Sequence, residues 1–260
     1  MQFLVRTHLA YTTTQPCDVL LQIEALSDDV QSCASPQLIL DPRSIQHEIN
    51  GEEGLGTRRW IQAGPQFECN YEVQVDVTRP SGAIDGIPQM PWADIPADVV
   101  KFLMPSRYCH SDLFLDFVSG EFGNLRGGAM VMAMRNWIAD RFTYDNNASN
   151  AATTASDSFS SLSGVCRDYA HVLIAFVRAG GVPARFVSAY GPDVSPQDFH
   201  AVVEVYLDGQ WHLVDATGMA KPADIIRIGV GRDAADASFM TAYGMIQLVA
   251  QTVEVRRVSG

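Results

Sequence analysis

The chain has 260 residues, of which 47% are hydrophobic and 18% charged, and its formal net charge is −12. This composition predicts a packed globular protein of one large or two ordinary domains, and its acidity argues against nucleic acid as a partner. No apolar stretch approaches the roughly 18 residues of a membrane span, so we expect no membrane partner.

The start of the chain and its cysteines predict a cytoplasmic protein. Residues 1–8 lack a charged leader followed by a long apolar run, so they are typical of a strand rather than a signal peptide. The five cysteines are odd in number and widely spaced, and reduced thiols fit the cytoplasm. They form no CxxC pair, so neither a zinc ribbon nor a redox motif is supported.

Residues 1 to about 95 are predicted to form half-buried antiparallel strands, as in a β-sandwich. Apolar and polar residues alternate most regularly from Phe67 to Val77. Weaker patterns predict further strands over residues 3–11, 18–24, 37–40, 44–50 and 58–62. Prolines and glycines between residues 79 and 98 predict the linker to a second domain, spanning 96–260.

The next part of the chain is predicted to be mainly helical, with helices over residues 98–103, 113–118 and 128–141. Residues 146–161 are rich in Asn, Ala, Ser and Thr, which predicts a flexible loop with a short helical turn at 156–159. Because this loop leads directly to Cys166, we expect it to line or gate a cleft.

Cys166 is predicted to lie in the first turn of a helix. Apolar residues recur with helical spacing from Val165 to Val177, and Gly180-Gly181 supplies the end of the helix. A thiol at a helix start meets unpaired backbone N–H groups and the positive end of the helix dipole, which favour the thiolate. The alternative is that Cys166 is a small buried core residue.

A β-hairpin is predicted to bring His200 close to Asp215. The strand from His200 to Leu207 is followed by Asp208-Gly209, a strong signal for a two-residue turn, and by a returning strand. With that turn His200 and Asp215 share one face as diagonal neighbours, whereas a three-residue turn would separate them. A metal site built from His200, His212 and Asp215 is disfavoured, because the same alternation places His212 on the opposite face.

The remainder of the chain is predicted to contain strands and irregular segments. Residues 184–190 form a strand, 221–231 are irregular, and 239–258 form two strands divided near Leu248. These last strands pair either with the first domain or with the sheet of the second. Asp233 and Asp236 are expected in a solvated loop, the alternative being that they lie at the edge of the cleft. His171 is expected to be structural because it lies on a different helix face from Cys166.

Four motifs resemble the bacterial transglutaminase-like cysteine peptidase family, which belongs to the papain-like group of folds. They cover residues 164–171, 181–185, 200–205 and 211–217, and further similarity is seen at 105–109, 142–145 and 231–236. The turn after Asp215 departs from the family, which commonly has Pro after the aspartate. The resemblance implies an α+β fold, with an N-terminal antiparallel β-sandwich-like domain before a core in which the cysteine-bearing helix packs on an antiparallel sheet.

The resemblance implies that Cys166, His200 and Asp215 form a catalytic triad of nucleophile, base and orienting carboxylate. The enzyme would cleave carboxamide bonds of a peptide or protein substrate through a thioester, without a cofactor or metal. The Cys166 N–H would be one oxyanion donor. The resemblance suggests an upstream residue for the second, for which we choose Tyr144; the alternative is that Tyr144 only packs.

Three other functions share these features. A transglutaminase would resolve the same thioester with an amine in place of water. An arylamine N-acetyltransferase-like enzyme uses a similar triad on acetyl-CoA, but the β-rich domain before Cys166 and the local motif argue against it. A catalytically silent peptide-binding module on the same fold is disfavoured by the complete triad.

Overall fold

The computed structural model describes residues 1–40 and 46–258, and it has a mixed α+β architecture. Its strands are β1 (Gln2–Thr13), β2 (Cys17–Leu21), β3 (Gln31–Leu40), β4 (Gln46–Asn50), β5 (Thr57–Ala63), β6 (Gln66–Val77), β7 (Thr143–Tyr144), β8 (Ser163–Gly164), β9 (Ala184–Tyr190), β10 (His200–Leu207), β11 (Gln210–Val214), β12 (Ile226–Gly231), β13 (Met240–Ala242) and β14 (Ile246–Val258). Its α-helices are α1 (Leu115–Phe122), α2 (Gly127–Arg141), α3 (Ala155–Ser161), α4 (Cys166–Ala179) and α5 (Ala234–Ala237).

The N-terminal strands β1–β6, together with β13 and β14, form two four-stranded antiparallel sheets. Their strand orders are β14-β1-β6-β3 and β13-β2-β5-β4. Along β6 every second side chain is buried, as expected for a strand with one face on a core and one toward solvent. The buried side chains of both sheets form one apolar cluster, so this region has the predicted sandwich-like character.

The second region consists of helices packed on a third antiparallel sheet, in the order β11-β10-β9-β12. Its central element is α4, which is buried from Asp168 to Arg178 and packs against β9 and β10. Because β9 and β10 are buried along their whole length, both faces of this sheet are covered. The helix that begins at Cys166 is therefore enclosed by the rest of the core, and its first turn is held in place.

The sandwich and the third sheet share one apolar core. Tyr190 of β9, with Ile226 and Ile228 of β12, packs into the cluster formed by the two N-terminal sheets. The Tyr190 hydroxyl donates to the Ile23 carbonyl at 2.6 Å and accepts from the Thr7 hydroxyl at 3.1 Å. These buried contacts hold the N-terminal strands against the sheet that carries the hairpin.

The C-terminal strands pair with the N-terminal ones. β14 runs antiparallel to β1 over its length, and β13 pairs with β2. Of the two pairings considered from the sequence, the one with the first region is present. The division into domains at residue 95 remains a prediction, but the strands it assigned to the second domain extend both sheets of the first.

Several predicted elements differ from those observed. Residues 221–231 were predicted to be irregular, which is wrong for 226–231, because β12 pairs with β9 there around a bulge between Arg227 and Gly229. The predicted helix at 98–103 is a 3-10 helix, Val100–Leu103. The break expected near Leu248 is instead a bulge in β14, and the two strands divide at residues 243–245. The first two residues of the strand predicted at 44–50 lie outside the described residues.

Among the residues that the structure describes, none of the helices combines the length and apolar character required to cross a membrane.

Candidate active site

Cys166 is the first residue of α4, as predicted. The start of the helix is held by Asp168, a fully buried residue whose carboxylate accepts the Val165 N–H at 2.8 Å. Gly164 is required just before it, because a Cβ at Gly164 would lie 2.6 Å from the Asp168 Cβ. Cys166 is half-buried and lines a cleft.

The β10–β11 hairpin has the register that the two-residue turn predicted. Leu207 pairs with Gln210 and Val203 with Val214, and Asp208 and Gly209 both have positive φ. Side chains alternate along both strands, so His200 and Asp215 lie on the same side of the sheet. His200 Nε2 lies 3.0 Å from Asp215 Oδ2, and both side chains are buried.

Asp215 is held in a turn that satisfies all of its carboxylate. Oδ1 accepts from the backbone N–H and the hydroxyl of Thr217, at 2.9 and 2.8 Å. Oδ2 accepts from the Ala220 N–H at 2.8 Å in addition to His200. The departure from the family at Ala216 therefore leaves a well-ordered carboxylate, because the Thr217 side chain closes the turn.

The pKa values of the buried pair reflect opposing influences. Burial by itself lowers the pKa of His200, but its interactions with Asp215 and Cys166 outweigh burial and raise the pKa to about 10. Burial by itself raises the pKa of Asp215, but the hydrogen bond and charge of His200, with those from Ala220 and Thr217, lower it. Both shifts favour an imidazolium beside a carboxylate.

His200 lines the same cleft as Cys166. Its Nδ1 is buried and has no hydrogen-bond partner within the described part of the chain. Since Asp215 engages Nε2, Nδ1 is the nitrogen left to exchange a proton with the thiol. The interaction with Cys166 also contributes to the raised pKa of His200. The structure thus brings Cys166 and His200 to the same cleft, with the Asp215 carboxylate hydrogen-bonded to the imidazole.

Tyr144 lies beside the start of the Cys166 helix. The short parallel pair β7–β8 sets Tyr144 opposite Gly164, and the Asp145 N–H donates to the Gly164 carbonyl at 3.0 Å. Burial, followed by the charge of Cys166, raises the pKa of Tyr144. The ring also packs against Tyr169, with the ring centroids 5.9 Å apart, so the packing role is present.

The cleft beside Cys166 has a volume of about 890 Å³ and is lined by residues from both regions. The loop predicted to line it contributes Asn146 and residues 149–151. Arg167 fixes that loop by donating to the Ser149 hydroxyl at 3.0 Å and to the Asn150 carbonyl. The opposite wall is formed by residues 237–243, together with Asp198, Phe199 and Gln251.

The expectation that Asp233 lies in a solvated loop is wrong. Asp233 is buried and accepts the N–H groups of Tyr108 at 2.8 Å and Ala235 at 2.9 Å. Asp233 caps α5, a short helix in the cleft wall. The prediction was wrong because the surrounding sequence is polar, whereas contacts with distant parts of the chain bury this carboxylate. Asp236 is half-buried and pairs with Arg232 at 2.8 Å.

Two other histidines lie apart from the His200–Asp215 pair. His171 is fully buried, stacks on Tyr108 and accepts the Ala234 N–H through Nε2 at 3.2 Å. Burial and the charges of Arg167 and Arg178 lower its pKa well below the usual value. His212 interacts with the Leu207 carbonyl at 3.3 Å, on the face that alternation predicted. No metal-binding cluster of His, Cys, Asp or Glu occurs in residues 1–40 and 46–258.

Some residues that support Asp215 were not predicted from the sequence. Arg135 of α2 donates to the Asp215 carbonyl at 3.1 Å, and Gly218, with φ of 74°, leaves room for its guanidinium. The Thr two positions after the Asp is a turn signal that could have been recognised. Arg135 carries no such signal, because only the packing of α2 brings it to the hairpin.

The chain resembles a known protein family and solved structures. The model of the transglutaminase-like superfamily matches residues 118–216, a range that contains Cys166, His200 and Asp215. A crystal structure from Cytophaga hutchinsonii, described as a "putative cysteine protease", is 30% identical with a TM-score of 0.92, covering 100% of this chain and 91% of that one.

An uncharacterized protein of Mycobacterium leprae is 26% identical over 117 residues, which are 42% of each chain, so the match spans less than half of that relative. The resemblance to the Cytophaga hutchinsonii protein extends over the whole chain, including the N-terminal sheets. The chain therefore belongs to the transglutaminase-like superfamily.

Proposed function

We propose that this protein hydrolyses carboxamide bonds of peptides or proteins through a thioester on Cys166. The observation that carries the proposal is the contact of His200 with Asp215 at 3.0 Å, with the other imidazole nitrogen left for the Cys166 thiol. A nucleophile, a base and an orienting carboxylate in this order are what covalent acyl transfer requires.

The first step is proton transfer from Cys166 to His200 Nδ1, which yields a thiolate and an imidazolium. Asp215 holds the ring orientation and stabilises its positive charge, and the raised pKa of His200 supports this protonated form. The thiolate then attacks the carbonyl carbon of the amide. A carbon–sulfur bond forms, and the carbonyl electron pair moves to oxygen.

The developing oxyanion needs donors on the side of the Cys166 helix start. The Cys166 backbone N–H is free of an intrahelical partner because it belongs to the first turn of α4. We take the Tyr144 hydroxyl as the second donor, because the β7–β8 pair sets Tyr144 opposite Gly164 at the start of this helix. Together they would bind the oxygen as its charge develops.

The cycle closes by hydrolysis. The carbon–nitrogen bond breaks as His200 returns its proton to the leaving amine, leaving the thioester. Water then attacks the thioester carbon while His200 accepts its proton, and the carbon–sulfur bond breaks with that proton returned to Cys166. The products are an amine and a carboxylic acid, with no other reactant consumed.

Alkylation by iodoacetamide, followed by peptide mass spectrometry, tests whether Cys166 is the reactive thiol. We expect selective modification of Cys166 and no competition from Cys109, because full burial raises the pKa of Cys109. The variant Cys166→Ala should lose both the rapid labelling and any amidase activity. Equal labelling of wild type and Cys166→Ala would reject catalysis at this residue.

A labelled primary amine distinguishes hydrolysis from transfer. The protein is incubated with a glutamine-containing peptide and dansylcadaverine, and products are separated by mass. Hydrolysis yields free acid with no dansyl group, whereas a transglutaminase would join the amine to the glutamine side chain. Dansylated product formed by wild type but not by Cys166→Ala would overturn the hydrolytic assignment.

A further inference from the structure

β13 lies at the edge of its sheet, and that edge faces the cleft. In the sheet order β13-β2-β5-β4, its only strand neighbour in the described chain is β2. The five consecutive residues 239–243 all line the cleft. A strand that presents its face to a cleft contributes every second residue, so five in a row indicate that the main-chain edge is what faces the cavity.

The outward main-chain groups of β13 belong to Met240 and Ala242. On the other side, the Gln22 N–H donates to the Phe239 carbonyl and the Tyr243 N–H donates to the Asp18 carbonyl, both at 2.8 Å. Hydrogen-bonded pairs alternate in an antiparallel ladder, so residues 239, 241 and 243 point toward β2. The N–H and C=O groups of the two intervening residues point away from β2.

The outward N–H and C=O groups of Met240 and Ala242 are unpaired in the described part of the chain, whereas the edge of β14 is covered. No hydrogen bond to the main chain of Met240 or Ala242 occurs among the described residues. By contrast, Val255 on β14 has both main-chain groups engaged by the Gln197 side chain, each at 2.9 Å. Since exposed edges are usually protected, an open edge inside a cleft indicates a place for another strand.

We propose that β13 binds the substrate main chain: an extended polypeptide segment pairs with Met240 and Ala242 while its scissile amide lies at Cys166. This inference rests on the proposed function and specifies the substrate as an extended polypeptide rather than a small amide. β13, Cys166 and His200 line the same cleft, so one extended segment can contact all three. Main-chain pairing supplies affinity that depends little on side chains.

Proline at position 242 tests the pairing selectively. Ala242→Pro removes an outward N–H but no ladder bond to β2, and proline is tolerated on edge strands at such positions. Ala242→Val is the matched control, because it adds a similar bulk and keeps the N–H. Binding is measured by fluorescence anisotropy in the Cys166→Ala background, with a labelled peptide selected on that protein from a randomised ten-residue library.

We expect Ala242→Pro to weaken peptide binding roughly threefold to tenfold, as for one lost hydrogen bond, and Ala242→Val to bind like its parent. Single N-methylation along the same peptide should weaken binding at every second position near the site, because only alternate N–H groups would face β13. Equal affinities for the proline and valine variants, a flat N-methyl profile, or a library that yields no bound peptide would each overturn the proposal.

The same experiment separates this inference from the proposed function. A selected peptide that binds Cys166→Ala with the alternating profile, but is not cleaved by wild type, supports β13 and rejects hydrolysis. A peptide that wild type cleaves, while Ala242→Pro leaves its affinity unchanged, supports hydrolysis and rejects β13.

Discussion

His200 is nearly completely buried and yet has a raised pKa. Its partners must therefore stabilise the protonated imidazole by more than desolvation destabilises it. Those partners are Asp215 and Cys166, which together raise the pKa from 6.5 to about 10. A group whose pKa rises on folding stabilises the folded state below its unfolded pKa. The contribution of His200 is therefore full below about pH 6.5 and is lost as the pH rises through about 10.

The pH dependence of hydrolysis is expected to follow the same group. With an imidazolium required for proton return, kcat/KM should fall on the alkaline side with an apparent pKa of about 10. In Asp215→Asn the alkaline decline of kcat/KM should move to lower pH, because the carboxylate no longer raises the pKa of His200. Asp193→Asn, which removes a carboxylate paired with Arg257, should leave the profile unchanged. An unmoved alkaline decline in Asp215→Asn would contradict this assignment.

Tyr144 can be tested by removing only its hydroxyl. Tyr144→Phe keeps the ring against Tyr169, so we expect normal folding and a fall in kcat of about 100-fold, the usual result for one lost oxyanion donor. KM should change little, because the hydroxyl acts on the developing oxyanion. Steady-state kinetics on an amide substrate measure both; an unchanged kcat would leave Tyr144 as a packing residue.

The third sheet contains a buried ion cluster that ties three elements together. Glu204 of β10 lies opposite Arg185 of β9 and contacts it at 2.7 Å, and its other oxygen meets Arg227 of β12 at 2.8 Å. Arg227 also pairs with Asp28 in the N-terminal region. The carboxylate of Glu204 thus neutralises two buried guanidiniums next to the hairpin that carries His200.

Removing that carboxylate should destabilise the protein strongly. Glu204→Gln leaves both arginines without their shared counter-charge, and breaking a buried ion pair on one side costs about 3–5 kcal/mol. Urea unfolding followed by tryptophan fluorescence measures the free energy of unfolding. Glu72→Gln, which disrupts an exposed pair with Arg6, is the matched control and should unfold at nearly the same urea concentration. Similar midpoints for both variants would show that the cluster contributes little.

The path of the chain makes the two regions interdependent. The polypeptide builds most of the sandwich, then the helical core and third sheet, and finally returns to add β13 and β14 to the first two sheets. The cleft is the consequence of this return, because residues 237–243 form the wall opposite the Cys166 loop. The cleft that contains Cys166 and the proposed substrate edge therefore depends on strands far apart in sequence.

Separating the regions should accordingly disrupt folding. The fragment 96–260 carries β13 and β14 without β1 and β2, so we expect it to aggregate through unpaired strands when it is produced alone. Production together with the fragment 1–95 should restore a soluble complex with a native-like circular dichroism spectrum. A folded, monomeric 96–260 fragment would instead support two independent domains divided at residue 95.

The amino-acid sequence by itself determined the features that depend on residues close together in the chain. The helix beginning at Cys166 follows from apolar spacing and its terminal glycines, and the hairpin register follows from Asp208-Gly209. A two-residue turn combined with the alternation of side chains leaves one register, so the contact between His200 and Asp215 could be predicted. The motifs also identified the superfamily and hence the α+β architecture.

Only the tertiary structure decided the long-range pairings. β12 was not recognised, and Asp233 looked solvated, because their burial comes from β9 and from Tyr108, which local patterns do not encode. The choice of β1 and β2 as partners for the C-terminal strands likewise depends on which apolar faces the whole chain must cover. The alternation of apolar and polar residues in a strand is compatible with many strand partners, and packing selects among them. The cleft wall built from β13 is therefore a property of the assembled fold.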